Sequence, residues 1–175
     1  MRKTWNFEIM VKKNFKNYLL YFLIVILIFI SDRLSKLYIV NIYDNFGQVD
    51  ISINNYIDLI LIWNKGIGFG LFSFDSSMIY NLITFLIITI NIVILYFGIV
   101  SDKVRSFLFF IILGGSLGNL FDRVYYSAVP DFIDLHYEQF HWFIFNIADI
   151  FITLGIISLI ILEFKDYVLN KTNEQ

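Results

Sequence analysis

From Met78 to Val100 the chain carries no charged residue. About 20 apolar residues in helical form cross the roughly 30 Å hydrocarbon core of a bilayer. Inside lipid every backbone N–H and C=O must be satisfied within the protein, which leaves helices and closed barrels as the spanning structures. Three further apolar runs lie near residues 17–40, 107–123 and 141–162, each with polar residues confined to one part of it. The sequence therefore predicts a single, mainly α membrane domain over residues 1–175, with four transmembrane helices.

The segments between the runs set the topology. Residues 1–16 hold Arg2, Lys3, Lys12, Lys13 and Lys16 against a single Glu8, like the basic start of a signal peptide. The apolar stretch from Tyr18 to Ile30 leads into SDRLSKLYIV and not into a small-residue cleavage site, so it reads as a retained first span. Lys103 and Arg105 mark the short loop between spans two and three. With four spans, this loop and both termini share one side, which the positive-inside rule makes cytoplasmic. Residues 41–77 and 124–140 fall on the other side. The former mixes β-branched and aromatic residues with Gly66, Gly68 and Gly70, which predicts short strands and glycine-rich turns. The predicted architecture is thus four transmembrane helices with a small extracytoplasmic β-rich cradle and an extracytoplasmic loop at about 124–140.

Composition closes several alternatives. With no cysteine there is no disulfide framework, thiol nucleophile or thiolate metal site. A formal net charge of −2 and the lack of a basic face argue against nucleic-acid binding.

Against this apolar background the polar residues gather at one depth. Asp32, Ser35 and Lys36 share a face at the outer end of span one, and Asn119, Asp122 and Arg123 repeat the pattern in span three. Asn146 and Asp149 belong to span four, Asp149 about 12 Å along its axis if the helix starts at His141. Asn64 and Asp131 come from the outer loops. A carboxylate at a helix centre costs about 2.5–3.5 kcal/mol on insertion scales, so each such residue asks for a reason. Read alone, Asp32 with Lys36 and Asp122 with Arg123 suit interfacial ion pairs as well as chemistry. The run from Gly114 to Gly118 reads as helix packing, Asn64 as a turn residue, and His136 and His141 as interfacial residues and not metal ligands. Asp149 stands apart, because no lysine or arginine lies within four positions of it.

Two carboxylates brought together, Asp131 and Asp149, would share one proton and titrate as a pair. The ionised member activates water; the protonated one donates to a substrate carbonyl and then to the leaving amine. That is aspartic peptidase chemistry, and it calls for no cofactor and no metal. A competing use of intramembrane acids is a small proton- or cation-coupled transporter subunit. That use predicts polar groups through the whole bilayer thickness instead of at one depth.

Five blocks carry a more specific signal. They are DRLSK at Asp32–Lys36, NKGIGFG at Asn64–Gly70, GGSLGNLFDR at Gly114–Arg123, VPDF at Val129–Phe132 and FNIAD at Phe145–Asp149. In this order the sequence resembles the lipoprotein signal peptidase (signal peptidase II) family, aspartic intramembrane peptidases of the bacterial inner membrane. The resemblance places the catalytic dyad at Asp131 and Asp149. It places supporting or substrate-binding residues at Asp32, Lys36, Asn64, Gly66, Asn119, Asp122, Arg123 and Asn146. It implies as substrate a prolipoprotein cut just before a diacylglyceryl-modified lipobox cysteine, membrane lipids as surroundings, a monomer, and inhibition by globomycin. Pro130, Arg33 and Lys65 depart from the family's usual residues.

Overall fold

The computed structural model describes residues 15–66 and 77–173. The basic cluster up to Lys13, and Gly68 and Gly70 of the glycine-rich turn, lie outside the described residues. The element order is α1 (Phe15–Phe46), β1 (Asp50–Asn54), β2 (Ile57–Asn64), α2 (Ser77–Val100), α3 (Lys103–Tyr126), β3 (Val129–Tyr137), β4 (Phe140–Phe145) and α4 (Ile147–Asn173). All four helices are long and apolar enough to span a membrane, and the protein is a mainly helical membrane protein. Their apolar residues are widely exposed, among them Phe22, Leu27, Leu82, Phe85, Ile160 and Phe164. Lipid covers such a surface; water would not.

Helix α3 is the centre of the bundle and packs against the other three. Its glycines explain how. A Cβ added to Gly114 would sit 3.0 Å from the Ile28 side chain, and one added to Gly115 would sit 2.6 Å from the Ala148 carbonyl oxygen. One small-residue face therefore admits α1 and another admits α4, which is how helices approach closely without a hydrophobic drive between them. At the far end from the sheet, Tyr21 stacks on Phe110, and its hydroxyl donates to the Lys103 carbonyl at 3.1 Å. There Asp102 caps α3 and Arg105 pairs with Asp102, Glu163 and Asp166.

The four strands form one antiparallel sheet in the order β1-β2-β3-β4. Ile39 near the end of α1, Val49 and Phe132 form a buried cluster that seats the sheet on the bundle. Ser127 ends α3 in the left-handed region (φ 57°) and turns the chain into β3. Pro130 lies beside Trp63 of β2, before β4 pairing begins at Ile133, so its missing N–H costs no bond to β4.

Several boundaries differ from the sequence expectation. Residues 141–145, expected at the start of span four, belong to strand β4, and α4 begins at Ile147. The run FHWFIF is apolar without proline or glycine, and such a run does not distinguish a strand from a buried helix. The expected outer loop at 124–140 is largely the end of α3 and β3, so half of the sheet comes from beyond residue 128. Residues 41–46 continue α1, and α3 starts at Lys103 because Asp102 supplies its cap.

Candidate active site

Asp131 is reached through β3 and Asp149 through α4, and Asn146 stands between them. Asn146 is the N-cap of α4. Its Oδ1 accepts from the Asp149 N–H at 3.1 Å, and Asp149 Oδ2 accepts from the Asn146 N–H at 3.1 Å. This is a reciprocal capping box built from Asn and Asp. The same Asn146 donates through Nδ2 to Asp131 Oδ1 at 2.6 Å. The other oxygen of Asp131 accepts from Asn64 Nδ2 at 2.8 Å, and Asn64 Oδ1 in turn accepts the Gly66 N–H at 2.8 Å. Asp149 Oδ1 accepts from Asn119 Nδ2 at 2.8 Å.

Asp149 therefore occupies the first turn of α4 and not a point two turns into it, as a span beginning at His141 requires. The cause is the strand β4 that precedes the helix. The Asp149 carboxylate there accepts from two N–H donors, the Asn146 backbone and the Asn119 amide.

Behind the two acids lies a buried polar cluster. Lys36 Nζ donates to Asp32 Oδ2 at 2.8 Å, to Asp122 Oδ2 at 2.7 Å and to Asn119 Oδ1 at 2.8 Å, with Lys36 1% exposed. The last bond fixes the orientation of the Asn119 amide, so its Nδ2 is turned to Asp149. Asp32 Oδ1 also accepts the Ala148 N–H at 3.0 Å, in the first turn of α4. A Cβ on Gly118 would come within 2.5 Å of Asp32 Oδ2, so only glycine leaves room for this carboxylate.

One expected pairing, that of Asp122 with Arg123, resolves differently. Asp122 pairs with Lys36 and with Arg33 Nη1, the latter at 2.5 Å, and not with its neighbour Arg123. Adjacent helical residues point in different directions, whereas Arg33 and Lys36 on α1 both face α3. Arg123 instead donates through Nη2 to the Gly66 carbonyl and lies over the Tyr80 ring. Arg33 is buried in this cluster and stacks on Phe121 at 5.0 Å, while Lys65 is exposed. Sequence reasoning placed Arg33 among the departures from a pattern and missed its pairing, since the register of α1 against α3 is set by the glycine face.

Asp131, Asp149, Asn64, Asn119 and Arg123 line one cavity of about 380 Å³, whose other walls include Ile87, Ile90 and Ile152. The structure thus brings to one cavity the side chains of four chain segments. Asp32, Lys36 and Asp122 form the layer behind it, and Gly66 contributes backbone at its edge. Burial, followed by the neighbouring Asp149 charge, pushes the Asp131 carboxyl up to about 7. Near neutral pH that carboxyl is poised to hold or give up a proton, as a general acid–base group must.

Comparisons with known proteins bear on this arrangement. The family described as "Signal peptidase (SPase) II" matches residues 24–165. A lipoprotein signal peptidase of Pelagibacter ubique is 50% identical over 166 residues, covering 95% of this chain and 99% of that protein. One of Anaplasma phagocytophilum is 42% identical over 136 residues, covering 77% and 85%. Among solved structures, a bacterial membrane enzyme determined by the in meso method at 2.3 Å resolution has a TM-score of 0.68 and 28% identity, covering 84% of this chain and 88% of that one.

Proposed function

The chain belongs to the signal peptidase II family, and from that premise we propose that Asp131 and Asp149 cut prolipoproteins just before a diacylglyceryl-modified cysteine. The observation that carries this reading is the shared Asn146, which ties to one residue both of the carboxylates that line the cavity.

In this reading one proton is divided between the two acids, and Asp131 holds it at rest because burial and the Asp149 charge raise its affinity. Asp149, the ionised member of the pair in this reading, takes a proton from water as the water oxygen attacks the scissile carbonyl carbon. Asp131 gives its proton to the carbonyl oxygen, so a neutral gem-diol forms. On collapse Asp149 passes its proton to the cysteine nitrogen, the C–N bond breaks, and Asp131 recovers a proton from the diol. The products are the carboxyl end of the signal peptide and the free amine of the lipid-modified cysteine. Atoms and protons balance with water as the only co-reactant.

The site sits where the sheet meets the helix ends. A substrate anchored by acyl chains presents its scissile bond at that level, and apolar walls such as Ile87 and Ile90 suit those chains. The basic residues Lys103 and Arg105 lie in the first turn of α3, beside its connection to α2. The positive-inside rule then puts both termini in the cytoplasm and the site towards the outside of the bacterial inner membrane. The same cavity is the expected seat of globomycin, and the expected working form is a monomer.

The test is cleavage of a diacylglyceryl-modified lipobox peptide by the purified protein in lipid or detergent with EDTA present. Wild type should cut just before the modified cysteine. Asp131→Asn and Asp149→Asn should each lose roughly 10²–10⁴-fold in rate, the range of a single acid–base group, with folding intact. Near-normal cleavage by either variant would defeat the dyad.

A further inference from the structure

On the β-sheet, away from the two carboxylates of the cavity, a second cluster of titratable groups has no part in the proposed reaction. Asp58 of β2 and Asp134 of β3 are direct cross-strand partners. His136 of β3 and His141 of β4 are partners across the next pair. The His141 Nδ1 lies 2.6 Å from Asp134 Oδ2, and His136 Nε2 lies 3.8 Å from Asp58 Oδ2. The ligand atoms of Asp134, His136 and His141 all fall within 4.8 Å of one another.

Two like charges directly opposite one another weaken a sheet, so this placement needs a compensating cation. A proton on His141 serves one oxygen of one acid only. Asp134 is 1% exposed, yet its Oδ1 has no hydrogen-bond partner, and neither has Asp58 Oδ1 or His136 Nδ1. A buried carboxylate oxygen without a donor is costly, which makes it an indicator of an unfilled role.

We propose that Asp134, His136 and His141 bind one divalent transition-metal ion of the zinc class, with Asp58 beside them against His136. Two imidazoles and one carboxylate, with a fourth position left for water, form a nitrogen–oxygen donor set that suits zinc. Bonds of about 2.0–2.2 Å in tetrahedral geometry place donor atoms about 3.3 Å apart, and the three ligand atoms here already lie within 4.8 Å of one another. The His141 side chain is 56% exposed, which gives an ion a way in. The ion would clamp β3 to β4, three residues from Asp131. This departs from the sequence reading of both histidines as interfacial, because their pairing across the β3–β4 hairpin brings them to the same Asp. It does not depend on the peptidase reading.

The test is zinc binding by the full chain, purified through a tag without histidine and titrated calorimetrically, with Co²⁺ absorption as a second probe. The chain has two histidines, so histidine-dependent binding reports on this cluster alone. One ion per chain is expected, with visible Co²⁺ bands of a four- or five-coordinate site and a thermal midpoint that rises with zinc. His141→Ala, at an exposed position that tolerates truncation, and Asp134→Asn should each weaken binding by at least about tenfold, no less than the loss of an outer partner costs. Less than half an ion per folded chain, or unchanged affinity in both variants, would leave the cluster a set of Asp–His hydrogen bonds and overturn the site.

Discussion

Asn146 and Asp149 cap each other: the side chain of each accepts the backbone N–H of the other at 3.1 Å. Because Asn146 also donates to Asp131, the start of α4 and the catalytic candidate on β3 are fixed by a single amide. Asn146→Asp keeps an oxygen for the cap but turns a donor to Asp131 into a third acid. We expect near-wild-type thermal stability at low pH and a loss of cleavage of at least about tenfold at neutral pH. Asn146→Ala should lose about 1 kcal/mol of stability with the cap as well. Equal activity in both variants and wild type would show that the amide does not position the pair.

Lys36 serves two buried carboxylates and one amide. Lys36→Met leaves Asp32 and Asp122 facing each other with Arg33 as the remaining cation. Breaking a buried ion pair in this way costs about 3–5 kcal/mol. The expected result is a sharply lower thermal midpoint in detergent, and a further activity loss in whatever fraction folds, since Asn119 loses the contact that orients it towards Asp149.

Asp131 gives a signed pH dependence. Its folded value of about 7 lies above the ordinary aspartate value of about 3.9, so between these limits the folded state binds the extra proton. Its contribution to stability is full below about pH 3.9 and is lost as the pH rises through about 7. Asp131→Asn should flatten the stability–pH curve in this window by up to about 1.4 kcal/mol per pH unit. Removing the like charge with Asp149→Asn should lower the Asp131 value, which an infrared carboxyl titration would read. An unchanged titration would mean that the two acids do not sense each other.

Gly118→Ala drives a methyl group towards Asp32 Oδ2, at 2.5 Å before relaxation. The neighbour is a carboxylate fixed by Lys36 and the Ala148 N–H, so it cannot yield freely. We expect a loss of about 1–3 kcal/mol, as for overpacking elsewhere, together with reduced cleavage. A stability equal to wild type would show that α1 and α3 separate at little cost.

The residues that proved easiest to read were those whose chemistry clashes with lipid. Asp32, Lys36, Asp122 and Asp149 are conspicuous in apolar runs, and their helical spacing places them on shared faces. The four helices follow from the same runs. Strand β4 was hidden because FHWFIF suits both a strand and a helix, and with it went the true depth of Asp149. The pairing of Asp122 with Arg33 was hidden too, since contacts between helices depend on a packing register that Gly114 and Gly118 set. His136 and His141 looked like neighbours at a helix start; as partners across a hairpin they meet Asp134 instead.

The cluster of Asp32, Arg33, Lys36 and Asp122 has consequences for how the chain enters the bilayer. Within this cluster α1 supplies Arg33 and Lys36 against Asp32, one surplus positive charge. The surplus disappears only when α3 delivers Asp122. The cluster is electrically incomplete on α1 alone and neutral once α3 joins it, which makes the association of the two helices part of insertion itself and gives α1 a reason to wait for α3 before settling in lipid.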